Sequence, residues 1–308
     1  MRKTAVDGVH ELARQDSRVV FIGSDLGAGT LTKMRDEFPD RYFMEGVAEQ
    51  HIVGMAAGMA MEGFMPYINT IATFLTRRCF EQIAVDLCIH NLDVRLIASG
   101  GGLVYAPLGP THQAIDDIAI LRALPNMTIV APADAHEMRM LMPLTLAHRG
   151  PLYIRLGKGG EPVLTGGTTN FAIGQAYVMR PGSEALIVTT GVMLHAALEG
   201  ATLLAARGVD ATVLHMPTIK PLDTANLMEW AGRARAVVTI EEHSIIGGLG
   251  SAVIETIAEA GFDAPKRFKR IGIPDVFADA YGSQASLLER FGLTSTQVAA
   301  QVVKLLER

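Results

Sequence analysis

Short apolar runs alternate with amphipathic stretches along the whole chain. Residues 18–23 (RVVFIG), 64–69, 94–99, 127–131 and 151–156 are brief, nearly unbroken apolar segments bounded by charge, glycine or proline. That pattern predicts strands buried on both faces. Helical patterning fills the intervals at residues 4–13, 49–61 and 71–90, at a stretch entered from Thr111, His112 and Gln113 with Asp116 and Asp117 early on, and at one opening on Pro132-Ala133-Asp134. Residues 158–169 are rich in glycine and threonine, which marks a linker at 161–170. A second series follows, with strands at 185–190, 211–216, 236–241 and 268–273 and a last helix at 296–306. Alternation of this kind predicts an α/β fold of two doubly wound, mainly parallel-sheet domains, residues 1–160 and 171–308.

One stretch breaks the plain alternation. Residues 43–58 read FMEGVAEQHIVGMAAG, with Glu49 at the head of a helix otherwise made of small and apolar residues. Gly54, Ala57 and Gly58 recur at helical spacing, so one face carries almost no side chain and would let another helix approach closely. A carboxylate there is served by the exposed N–H groups of the helix start, which is its ordinary explanation.

Composition sharpens the picture. The chain has 308 residues, 49% hydrophobic and 19% charged, enough for two globular domains with apolar surface to spare for a subunit interface. The net charge is −5, and no basic run or basic-aromatic interleaving suggests nucleic acid. Residues 1–14 lack the apolar core of a signal peptide, and no apolar stretch reaches the length of a membrane span. Cys79 and Cys88 fall within one predicted helix at a spacing that fits neither a metal motif nor a disulfide framework. Two buried thiols suit a reducing compartment, so a cytoplasmic location is expected.

No G-x-S-x-G elbow, His-Glu-x-x-His pair or P-loop is present, and no metal site is expected in this chain. Physical reasoning leaves Asp25, Glu49, His51, His112, Arg155 and His243 as candidates. Asp25 follows a strand at the edge where open parallel sheets bind ligands, although a turn or cap residue would look the same. His112 lies after a Gly-Pro turn at the mouth of a strand, and Arg155 ends another; a solvated strand-end arginine is the plainer reading of the latter.

Order and spacing of several motifs add to this. SDL at residues 24–26, GVAEQH at 46–51, Thr73-Phe74, GPTHQ at 109–113, LPNMTIVAPADAHE at 124–137, MPTIKPLD at 216–223 and EEHSIIGGLGSA at 241–252 together resemble the transketolase family. The match covers nearly the whole chain and is to the pyrimidine-binding and C-terminal domains. The resemblance implies thiamine diphosphate bound across a subunit interface and transfer of a two-carbon ketol unit from a ketose phosphate donor to an aldose. Glu49 then matches the catalytic glutamate that bonds the aminopyrimidine, and Phe74 the aromatic that stacks on it. Asp25 and Leu26 match cavity-lining residues, and Ile71 stands where a second aromatic is common. His112 matches a ligand of a substrate hydroxyl, and Arg155 an arginine that binds the sugar phosphate.

The family's diphosphate and metal motif, G-D-G with a downstream asparagine, is absent. The expectation is therefore a C-terminal subunit of a split transketolase. A partner N-terminal chain would hold the diphosphate and Mg2+ (or Ca2+), in an α2β2 assembly. Leu108 replaces an aspartate, and Gly100 a histidine, that the family often uses in the substrate channel. Losing such hydroxyl contacts puts ordinary pentose phosphate specificity in doubt and leaves donors such as apulose 4-phosphate or a sulfonated sugar open. Also open are the beta subunit of a 2-oxoacid dehydrogenase, which typically has a histidine-serine loop in place of GPTHQ, a deoxyxylulose-phosphate-synthase-like enzyme, and a non-catalytic partner subunit.

Overall fold

The computed structural model describes residues 1–24, 29, 31–167 and 170–307. It divides into two compact units: residues 1–101 with 120–173, and residues 102–119 with 174–308.

The first unit runs α1 (Arg2–Gln15), β1 (Val19–Gly23), α2 (Thr32–Glu37), β2 (Tyr42–Met44), α3 (Glu49–Met61), β3 (Met65–Ile71), α4 (Ala72–Thr76), α5 (Phe80–Gln82) and β4 (Arg95–Ser99). The short helix α6 (Asp117–Arg122) returns the chain to it, followed by β5 (Thr128–Val130), α7 (Ala135–Leu144) and β6 (Leu152–Leu156). Six strands pair in the order β5-β6-β4-β3-β1-β2, each parallel to its neighbours. β1, β4 and β6 are buried at every position, as their mainly apolar runs predict, and this burial includes the side chains of Arg95 and Arg155.

Two local expectations are corrected. Residues 71–90 are not one long helix: α4 and α5 are separated by a turn at 77–79, and α5 passes into a π-helical stretch, Ile83–Ile89. Such wide turns concentrate at functional sites. Residues 111–116 do not enter a helix; α6 begins only at Asp117. The preceding loop is closed by a mutual pair of backbone bonds between Gly102 and Ala114, at 2.8 and 3.1 Å.

The second unit contains β7 (Tyr177–Arg180), β8 (Ala185–Thr189), α8 (Leu194–Ala205), β9 (Ala211–His215), β10 (Thr218–Lys220), α9 (Thr224–Arg233), β11 (Ala236–Ser244), α10 (Leu249–Glu259), β12 (Arg267–Ile273), α11 (Gln284–Arg290) and α12 (Ser295–Leu306). Its sheet has the order β12-β11-β8-β9-β7, parallel except for the antiparallel edge strand β7. Leu186, Val188, Leu214, Val237, Leu249 and Val253 form a core between sheet and helices. Among the described residues no helix is long and apolar enough to cross a membrane.

Candidate active site

β1 and β3 are neighbours, and their C-terminal ends, with the start of α3, converge on one carboxylate. Glu49, the first residue of α3, is 3% exposed. Ser24, just beyond β1, donates its hydroxyl to Oε1 at 3.0 Å, and Thr70 of β3 donates to the same oxygen at 3.5 Å. Arg78, in the turn between α4 and α5, donates to Oε2 at 3.0 Å. An unpartnered buried carboxylate would be costly, and these three donors remove that cost. Helix-start N–H groups alone are thus not what holds Glu49. The helix break fixes where Arg78 stands, and its guanidinium carbon lies 4.2 Å from the centre of the Phe74 ring.

This arrangement tests whether an aminopyrimidine fits. The guanidinium is a flat, cationic N–H donor that stacks on Phe74 while donating to Glu49. A flat, protonatable heteroaromatic ring makes the same two demands, so the donor and stacking set suits the group. Ile71, the last residue of β3, is half-buried and leads directly into α4. Cys79, beside Arg78, is buried, and its thiol donates to the Phe74 carbonyl at 3.4 Å. Burial, and then the charge of Glu49, pushes that thiol up to about 12.

Arg155 belongs to the same unit. It lies in β6, opposite Ala98 of β4, and is 7% exposed. It packs on Gly101, where a β-carbon would come within 2.7 Å of its Cγ and Nε. Arg155 is thus a packed, largely buried side chain rather than a solvated strand-end arginine. Gly100 has φ +81°, a left-handed conformation that disfavours any residue with a β-carbon.

His112 groups with the second unit. Its Nδ1 lies 2.9 Å from the Thr111 hydroxyl, and its backbone N–H donates to the Gly109 carbonyl at 3.1 Å. Leu108 is 50% exposed in the same loop. Asp25 and Leu26 lie outside the described residues. His51 is exposed, 4.0 Å from a Glu45 oxygen; His243 is fully buried at the end of β11. Among the described residues no group of three or more His, Cys, Asp or Glu side chains is placed to hold a metal ion. Ser24, Thr70 and Arg78 were not singled out by sequence reasoning. The signals for them were Ser24's place in the SDL motif, a hydroxyl at the C-terminal end of β3, and an arginine one turn after Phe74.

Fold and site together define an α/β chain that holds a buried carboxylate and a stacking aromatic at the carboxyl edge of a parallel sheet. Residues 1–161 match the family model "Transketolase, pyrimidine binding domain", and residues 174–298 match "Transketolase, C-terminal domain". The chain belongs to the transketolase family. It is 42% identical over 299 residues to the uncharacterized transketolase family protein y4mN of Sinorhizobium fredii, spanning 96% of this chain and 86% of that one. Identity is 35% over 309 residues, 100% of this chain and 95% of the relative, to the 6-deoxy-6-sulfo-D-fructose transketolase subunit SqwH of a Clostridium species. A 1-deoxy-D-xylulose-5-phosphate synthase of Microcystis aeruginosa is 39% identical over 298 residues, 95% of this chain but 46% of that enzyme. A solved structure described as a split gene transketolase, inactive beta4 tetramer, superposes with a TM-score of 0.91 at 38% identity, covering 99% of this chain and 98% of that one.

Proposed function

We propose that this chain is the C-terminal subunit of a two-chain, thiamine-diphosphate-dependent transketolase that moves a two-carbon ketol unit from an anionic ketose to an aldose. The observation that carries the reading is the buried Glu49 carboxylate paired with a flat cation stacked on Phe74. Bound thiamine diphosphate would supply the electron sink that lets the bond beside a ketose carbonyl break. Glu49 Oε2 would hold a proton against a ring nitrogen, a role that requires Arg78 to leave that oxygen. Ser24 and Thr70 keep Oε1 fixed meanwhile, and Phe74 with Ile71 would bound the ring. Arg155 would bind the anionic end of the sugar through its forked donors, and His112 a sugar hydroxyl. Asp25 and Leu26 keep their proposed place along the cofactor cavity.

A partner chain would hold the diphosphate and Mg2+ (or Ca2+), in an α2β2 complex. The full-length likeness to a named transketolase subunit and to a split gene transketolase supports this. The name of the Clostridium relative also favours a sulfonated ketose over apulose 4-phosphate as donor. The exposed Leu108 and the left-handed Gly100 fit a channel with fewer hydroxyl contacts. A synthase-type reaction on the same cofactor is the second reading, favoured by 39% identity to deoxyxylulose-phosphate synthase.

The test is calorimetric titration of thiamine diphosphate with magnesium into this chain alone and into its complex with a diphosphate-domain chain. Binding by the complex only is expected; tight binding by this chain alone overturns the split site. Glu49→Gln should then lower turnover of the complex by roughly 10²–10⁴-fold, the usual worth of a positioned acid-base group, while the complex still assembles. Near-normal turnover would remove Glu49 from the reaction.

A further inference from the structure

β11 ends in an unusual run, Glu241, Glu242 and His243, all buried. Glu241 is explained by the helix that follows it: its two oxygens accept the N–H groups of Leu249 and Gly250 at the start of α10, at 2.7 and 2.8 Å. The next three residues turn to a different task. Glu242, 2% exposed, accepts the Leu103 N–H at 2.7 Å, and both its oxygens take Gln284 Nε2 at 3.0 Å. His243 Nε2 accepts the Ala119 N–H at 3.3 Å, and the Ser244 N–H donates to the Ile115 carbonyl at 2.8 Å.

Residues 103, 115 and 119 bracket the loop that carries His112. Its neck is the Gly102–Ala114 pair, and Gly102 touches the clamp directly. It has φ +71°, and a β-carbon there would lie 2.7 Å from the Glu242 carboxyl carbon. A buried carboxylate is a costly choice for holding a loop unless the loop's position matters. The Leu103–Glu242 bond crosses 139 residues of sequence and the Ala119–His243 bond 124, so these contacts are independent of the loop's own turns.

We propose that Glu242 is a positioning residue: its carboxylate clamps the neck of the 102–114 loop and so determines where His112 presents its imidazole to substrate. The clamp rests on the role given to His112 above only in its last step.

The experiment is hydrogen exchange by mass spectrometry on the full chain, with the ¹³Cε1 resonance of His112 followed by NMR and assigned through a His112→Asn variant. Glu242→Ala should speed exchange at residues 103–114 by tenfold or more and should move or broaden the His112 signal, with β8, β9 and β12 unchanged. The reciprocal pair Glu242→Gln with Gln284→Glu should restore both readouts. A glutamine at 242 keeps a carbonyl for Leu103 and gains an N–H for the carboxylate at 284. Exchange rising throughout the second unit, or no recovery in the reciprocal pair, overturns the clamp. If Glu242→Ala fails to fold, Gln284→Ala, which removes one contact, carries the same prediction with a smaller increase, and an unchanged His112 signal there overturns it. Separately, unchanged kinetics of a His112→Asn complex would sink the role of His112 and leave the clamp standing.

Discussion

Glu49 is buried with one oxygen on two hydroxyls and the other on Arg78, and each partner has its own consequence. Removing Arg78 leaves a buried carboxylate oxygen without its charged donor. Arg78→Met should therefore destabilise the chain by about 1.5 kcal/mol, the lower end for a hydrogen bond to a charged group, because the arginine side chain is itself 43% exposed. Urea unfolding measures this, and an unchanged midpoint would mean that water replaces the guanidinium at no cost. The thiol of Cys79, pushed up to about 12 by burial and by Glu49, stays protonated at pH 8. Ellman's reagent at pH 8 should leave it unmodified in the native chain and label it after denaturation. Rapid native labelling at Cys79 would contradict that burial.

At the scale of elements, the C-terminal edge of the first sheet is held by caps and breaks more than by strands. Asp134 is the N-cap of α7, accepting the His136 and Glu137 N–H groups at 2.8 and 3.0 Å. It also accepts the N–H groups of Leu164 and Thr165 at 2.7 and 2.8 Å, and so fastens the segment after β6 to the helix start. Burial alone would raise its pKa; the donors of Glu137, Thr165 and Leu164 outweigh burial and bring it below the usual aspartate value. A lowered folded pKa stabilises above the unfolded value, about 3.9, and the gain is lost as pH falls through the lower folded value. Asp134→Ala should cost about 2–4 kcal/mol at pH 7, a lost cap plus buried N–H groups left unpaired. The difference from wild type should shrink below pH 4. A constant difference from pH 7 to pH 3 would show that the charge of Asp134 contributes nothing.

For the whole molecule, the telling residues are glycines that the chain itself does not need. A β-carbon at Gly54 or Gly58 of α3 would meet no atom within 4 Å, although glycine weakens a helix by about 0.8–1 kcal/mol relative to alanine. Met61, Val85 and Ile89 are exposed on the same unit. A small-residue face retained at a cost to the helix fits close packing by another subunit. Gly54→Leu should therefore leave the melting temperature of the isolated chain unchanged or higher, and should weaken assembly at least tenfold by analytical ultracentrifugation. Unaltered assembly would mean that this face packs against no subunit.

Periodicity in the sequence determined the two parallel-sheet units, because burial on both faces favours short, mainly apolar runs at β1, β4, β6, β8 and β9. It also determined α3 to the residue, since the small-apolar pattern starts at Glu49 and ends at Met61. Motif order points to Glu49, Phe74, His112 and Arg155 as candidates. Tertiary structure alone decided that Arg78 bridges Glu49 and Phe74, because that bridge depends on a helix break that helical patterning over 71–90 concealed. It alone joined Glu242 to Leu103: a side chain's reach to a backbone N–H 139 residues away leaves no trace in local pattern. Hydrophobic burial acts through short-range periodicity and is written along the chain, whereas the hydrogen bonds of buried polar groups are settled only when distant strand ends meet.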